Sequence, residues 1–115
     1  MVDQTVLESV RQYMSVLDQE GIPVAFTVLY GSFARGEEHE WSDIDLMVVS
    51  PLFDQEKHRE DIDHLWHATL KADVRIEPVG VGLRQWQEDE ALPLIEIARR
   101  EGQIIHPHGY QETAA

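Results

Sequence analysis

The apolar positions of the first twenty residues, Val6, Val10, Tyr13, Met14 and Leu17, return at intervals of three and four, the period of one helix face. Asp18, Gln19 and Glu20 follow, so the chain is predicted to open with an amphipathic helix ending near Gly21. Pro23 then releases Val24-Ala25-Phe26-Thr27-Val28-Leu29-Tyr30, nearly continuous in apolar and β-favouring residues. That pattern predicts a central strand covered on both faces. Beyond Tyr30 the chain turns through Gly31 and Ser32 into a short helical piece at Phe33-Ala34-Arg35, then crosses an exposed polar loop from Gly36 to Ser42. Asp43 to Ser50 reads as the second strand, with Asp43 and Asp45 on one face and Ile44 and Leu46 on the other. Pro51 stops it.

A helix is expected from about Gln55 to Lys71, with Ile62, Leu65, Trp66, Thr69 and Leu70 on its buried side. The third strand runs from Asp73 to Val81, and its Pro78 points to an edge or a bulge. A further helix from about Leu92 to Arg100 stops at Gly102, before a short Gln103-Ile104-Ile105-His106 strand and a polar tail. Trp66 and Trp86 are expected to pack, and Trp41 to lie over the polar loop or cover the strand start. Helices between strands, with no repeat or linker, predict a mixed α/β (α+β) fold: a small mixed β-sheet with helices packed mainly on one face.

Composition narrows the setting. A chain of 115 residues with 43% hydrophobic content suits one domain, residues 1–115, with a core that needs no metal or disulfide. The absence of cysteine removes thiolate zinc sites and favours a reducing compartment, so a cytoplasmic location is expected. Met1 to Glu20 has no signal-peptide character, and no apolar stretch approaches the roughly 18 residues of a membrane span. With 9 basic residues against 22 acidic ones, the net charge is −13. Such a surface repels polyanions, and the chain lacks a basic stripe that would neutralise phosphates, so direct nucleic-acid binding is not expected. A small substrate or a basic protein partner fits better.

Gly31-Ser32 is followed, after ten residues, by Asp43-Ile44-Asp45. Two aspartates on one strand face lie about 6 to 7 Å apart and repel each other when ionised, which a divalent cation relieves. Carboxylate oxygens completed by water and substrate phosphates describe how Mg²⁺ is held at phosphoryl-transfer sites, where a pair of ions can serve attacking and leaving oxygens. Gly31 lets a phosphate approach the backbone, Ser32 offers a hydroxyl and an N–H, and the following turn aims its N-terminus the same way. Arg35 adds a cation nearby.

These residues resemble the Gly-Ser, ten residues, Asp-x-Asp signature of the DNA polymerase β-like nucleotidyltransferases. The resemblance is to the minimal nucleotidyltransferases of that superfamily, and it covers nearly the whole chain. It implies an enzyme in which Gly31 and Ser32 bind nucleotide phosphates, Asp43 and Asp45 bind Mg²⁺, and a third carboxylate on a neighbouring strand completes the metal site. That third group is Glu77 or Asp73, which share strand parity, with Glu77 favoured by its place among apolar neighbours. The resemblance further implies a nucleoside triphosphate substrate, two Mg²⁺ ions, AMP transfer from ATP to a hydroxyl, and a helical HEPN-domain protein as partner and acceptor in a toxin–antitoxin pair.

Other readings stand beside these. Transfer to a small molecule, as in aminoglycoside nucleotidyltransferases, is disfavoured because their additional helical domain has no counterpart here. A non-catalytic module that binds nucleotide or partner is the third alternative. For Glu77 the plain reading is a surface ion pair with Arg75 or Arg84, and for Asp73 a cap. His64 and His67, near Asp61 and Asp63, and likewise His106 and His108, read as polar surface, since zinc needs three or four well-placed ligands.

Overall fold

A computed structural model describes residues 3–39, 42–55 and 57–109. Asp3 opens helix α1 (Gln4–Gln19): its carboxylate accepts from the Thr5 N–H at 2.8 Å, satisfying one of the donors a helix start leaves over. Strand β1 (Phe26–Tyr30) and strand β2 (Ile44–Ser50) pair antiparallel, and β1 pairs antiparallel on its other side with β4 (Gln103–Ile105). Strand β3 (Ile76–Gly82) lies parallel to β2, giving the order β3-β2-β1-β4. Pro78 therefore sits on an edge strand, where its missing N–H breaks no ladder.

The apolar continuity of β1 and β2 follows from coverage of both sheet faces. On one face Leu29, Ile44, Leu46, Val48 and Ile76 pack with α1 and with Leu65 and Ala68 of α3 (Arg59–Thr69), forming the larger core. On the other, Val28, Tyr30, Met47, Val49 and Val81 meet Ile95 and Ala98 of α5 (Pro93–Glu101) in a smaller one. Among the described residues no helix is long and apolar enough to cross a membrane.

The Tyr13 hydroxyl donates to the Leu65 carbonyl at 2.7 Å inside the larger core, tying α1 to α3. Tyr13→Phe keeps the ring but removes this bond, while the Leu65 carbonyl keeps its place in the α3 helix, so urea unfolding should show a loss of about 1 kcal/mol. An unchanged midpoint would mean that the bond adds nothing net.

Three elements depart from the sequence reading. After β2 the chain first makes a 3-10 turn, Pro51–Asp54, with Ser50 Oγ accepting from the Leu52 N–H at 3.1 Å, so α3 begins at Arg59 rather than near Gln55. β3 begins at Ile76, because the Asp73 carboxylate accepts from the Arg75 N–H at 3.0 Å and holds residues 73–75 as a turn. An unexpected helix, α4 (Leu83–Glu88), follows β3. Its start is capped by Asp54, which accepts from the N–H groups of Arg84 at 2.9 Å and Gln85 at 3.3 Å. Its end is held by the Arg99 guanidinium, which donates to the carbonyls of Gln85, Trp86 and Asp89.

The buried side of α3 also differs. Leu65, Ala68 and Thr69 face the sheet, while Ile62, Trp66 and Leu70 are exposed. Trp86 is half-buried edge-on to Phe26, with ring centroids 6.1 Å apart. Trp41 and part of the loop before β2 lie outside the described residues.

Candidate active site

β1 ends where β2 and β3 begin, and this common end of the sheet carries the sequence-predicted acids. The register sets Tyr30 opposite Asp45 and Asp45 opposite Glu77. Paired residues share a face, and alternation places these three with Met47 and Val79 on the face that carries the smaller core. Asp43 immediately precedes β2, and the Ile44 N–H donates to the Arg75 carbonyl at 2.8 Å, extending the β2–β3 pairing toward it.

The electrostatics show how closely these acids crowd. Glu77 is raised above the ordinary carboxylate range by desolvation, by a side-chain hydrogen bond with Asp43, and by the charges of Asp43 and Asp45. Asp45 is raised first by burial and then by the charge of Asp43, with Arg35 opposing. Tyr30 is pushed up to about 12 by burial, aided by Asp45 and Glu77. Glu77 has no ion pair among the described residues: Arg75 is taken by Asp73 at 2.7 Å and Arg84 faces Glu88 at 3.9 Å.

Gly31 stands against Asp45. Its backbone, at φ 75° and ψ −152°, lies where L side chains are strained. A Cβ there would overlap the Asp45 carboxylate, meeting Oδ2 and coming within 3.1 Å of Cγ. Helix α2 (Ser32–Arg35) starts at once and ends on Gly36, whose φ of 71° is the left-handed cap. Phe33 anchors this turn in the larger core, with the Arg75 guanidinium 5.8 Å from its ring centroid. Ser32, the first residue of this turn and next in the chain to Gly31, remains half-exposed. Arg35 donates from Nε to Glu37 at 3.1 Å and lies 3.9 Å from Glu101 of α5. On the loop, the His39 N–H donates to Ser42 Oγ at 2.9 Å, and Ser42 itself is buried.

Gly31, Ser32, Arg35, Asp43, Asp45 and Glu77 thus gather at one sheet end, and Asp73 does not join them. Its carboxylate is bound by Arg75 through Nε at 3.1 Å and Nη2 at 2.7 Å, which holds it below the usual range. Spacing gave no signal for Tyr30 or Glu101, whose positions depend on register and on α5. His64 lies elsewhere, 3.4 Å from Glu20 on the α1–α3 side. Among the described residues no three His, Cys, Asp or Glu side chains already stand in coordinating positions. The donor set nevertheless suits a hard cation: carboxylate oxygens crowd together, Asp45 and Glu77 are each raised by burial and by the charge of Asp43, and Arg35 is the cation that offsets Asp45.

This crowding has a measurable cost. A carboxyl raised in the folded protein contributes stability that is full below its unfolded value and is lost as pH rises through its folded value. Without divalent ions, Asp45→Asn should therefore melt higher than the unsubstituted chain at pH 7, and the gap should close as pH falls below about 4. A gap independent of pH would contradict a raised Asp45 carboxyl.

The sequence profile of a family described as "Nucleotidyltransferase domain" matches residues 7–105. No curated protein matches significantly. Solved structures share the fold at low identity. One is a toxin–antitoxin with AMP-PNP, at 18% identity and TM-score 0.55, covering 85% of this chain and 73% of that one. Another, assigned as a nucleotidyltransferase from Sulfolobus solfataricus, has 13% identity and TM-score 0.52, covering 90% and 87%. A mutant of the toxin–antitoxin MntA-HpeT has 17% identity and TM-score 0.52, covering 83% and 70%.

Proposed function

The chain belongs to the nucleotidyltransferase domain family, and on that premise we propose that it transfers AMP from ATP to a hydroxyl of a protein acceptor, using Mg²⁺ held by Asp43, Asp45 and Glu77. The observation that carries this reading is the direct pairing of Asp45 with Glu77 across β2 and β3, with Asp43 one residue before β2 at the same sheet end. Mg²⁺ at these carboxylates would supply charge neutralisation for the triphosphate and for the displaced pyrophosphate.

The protein's own groups do the rest. Gly31, lacking a side chain, and Ser32, with its hydroxyl and N–H, receive the phosphates at the start of α2. Arg35 adds positive charge on the same side. The acceptor oxygen attacks the α-phosphorus, the bond to the bridging oxygen breaks, pyrophosphate leaves, and Glu77 takes the hydroxyl proton.

Residues 1–115 act in this proposal as one minimal nucleotidyltransferase domain, working in the cytoplasm beside a helical HEPN-domain partner. The fold shared with two toxin–antitoxin assemblies, one of them bound to AMP-PNP, supports both the partner and the adenine nucleotide. The test uses ATP labelled on its α-phosphate, Mg²⁺ and the product of the adjacent gene. Label should appear on that protein. Absence of label, with stoichiometric binding that survives Asp43→Asn, would replace catalysis by inhibition through contact alone. Label on an aminoglycoside instead would identify a small-molecule acceptor.

A further inference from the structure

Helix α3 buries only part of its apolar surface. Leu65, Ala68 and Thr69 turn to the sheet, while Ile62, Trp66 and Leu70 are 42%, 46% and 74% exposed. Residues four apart stand one above another on a helix, and Leu70 keeps helical dihedrals (φ −64°, ψ −20°), so the three form one continuous ridge. Val74, four residues further on, is 71% exposed. Isolated exposed apolar residues need no explanation, but a ridge of Ile, Trp and Leu marks a contact surface.

Beside the ridge, and sharing Leu70 with it, runs an open trough of about 600 Å³ lined also by Glu20, Glu60, Asp63, His64, His67 and Lys71. Lys71 is engaged by Glu20 at 3.1 Å, and His64 lies 3.4 Å from the same carboxylate. Glu60 and Asp63 have no ion pair among the described residues. The ridge therefore has an acidic flank with uncompensated charge, on a chain whose net charge is −13.

We propose that this ridge and trough dock an amphipathic helix of a partner protein, its apolar side chains packing around Ile62, Trp66 and Leu70 and its Lys or Arg residues reaching Glu60 and Asp63. The proposal rests on the reading that the chain acts with a protein partner. Charge complementarity selects a basic-flanked partner over a second copy, because an isologous contact would set two identical acidic flanks together. Ridges at four-residue spacing also match the commonest helix-on-helix packing. The α3 face is opposite the face of Asp45 and Glu77, so docking and chemistry are separable by mutation.

The experiment titrates the adjacent gene's product into the purified chain, with ATP affinity and melting temperature measured alongside. The doubly substituted chain carrying Trp66→Glu and Leu70→Glu should bind at least about 100-fold more weakly, the range of lost hot-spot residues, with ATP affinity unchanged. Glu60→Gln with Asp63→Asn should weaken binding less and flatten its salt dependence. If the first variant melts early, Leu70→Ser, at a position 74% exposed, carries the test.

Unchanged affinity in the ridge variants overturns the docking face, even where label is transferred. A wild-type chain that ignores the adjacent product overturns it as well. A wild-type dimer that dissociates on ridge substitution assigns the face to a second copy, which also overturns the proposal. Ridge-dependent binding without label on the partner leaves docking standing and defeats only the transfer reaction.

Discussion

Asp45→Asn is expected to lower Mg²⁺-dependent nucleotidyl transfer by at least about 10³-fold, more than the 10- to 100-fold typical of groups that only support a metal ligand. Asp45 is the central member of the row Tyr30–Asp45–Glu77. Its carboxylate is shared in space by Gly31 on one side and by the field of Arg35 on another. Asparagine keeps the shape beside Gly31 but gives up the charge and one acceptor oxygen, so metal affinity falls while the fold persists. Together with the higher melting temperature expected at pH 7, the result would be an inactive but sturdier protein. Assays of initial rate and thermal melting on one sample separate that outcome from unfolding, and a rate within about tenfold of the unsubstituted chain would remove Asp45 from the chemistry.

Gly31→Ala should also damage activity, for a different reason. The added methyl enters the space of the Asp45 carboxylate and forces a backbone at φ 75° and ψ −152° into strain. Strained backbone of this kind costs on the order of 1 to 3 kcal/mol, and either Asp45 or the start of α2 must move to relieve the overlap. The expected result is a loss of stability in urea together with a loss of transfer of at least about 100-fold, since misplacement by about 1 Å already costs that much. Gly36→Ala is the control: it shares the left-handed φ but meets nothing within 4 Å, so it should lose stability and keep most of its activity.

The contrast between Gly31 and Gly36 shows what was legible in the sequence. Spacing was enough to expect Gly31, Ser32, Asp43 and Asp45 at one end of the sheet, because a turn at a strand end and the start of the next strand are set by local rules. It left Glu77 and Asp73 open because parity cannot say where a strand begins. That start is set by the Asp73–Arg75 hydrogen bonds, which remove Asp73 from the strand and occupy its carboxylate. The two central strands were readable from their continuous apolar runs, since both of their faces are covered. α4 was not, because its cap comes from Asp54, 30 residues earlier, and its end is held by Arg99. On α3 the apolar pattern was wide enough to allow two buried faces. The face with Ala68 and Thr69 packs on the sheet, with Thr69 Oγ1 satisfied by the Trp66 carbonyl at 2.7 Å, and the bulkier Trp66 is left facing solvent.

Metal uptake itself decides whether the gathered carboxylates are a metal site. Mn²⁺, followed by its electron paramagnetic resonance, would be titrated into the chain in the presence of an ATP analogue with a methylene between the α and β phosphorus atoms. The unsubstituted chain should take up about two ions, Glu77→Gln should bind them at least about tenfold more weakly, and Asp45→Asn should take up none above the nucleotide alone. Equal uptake by all three proteins would contradict a site built from Asp43, Asp45 and Glu77.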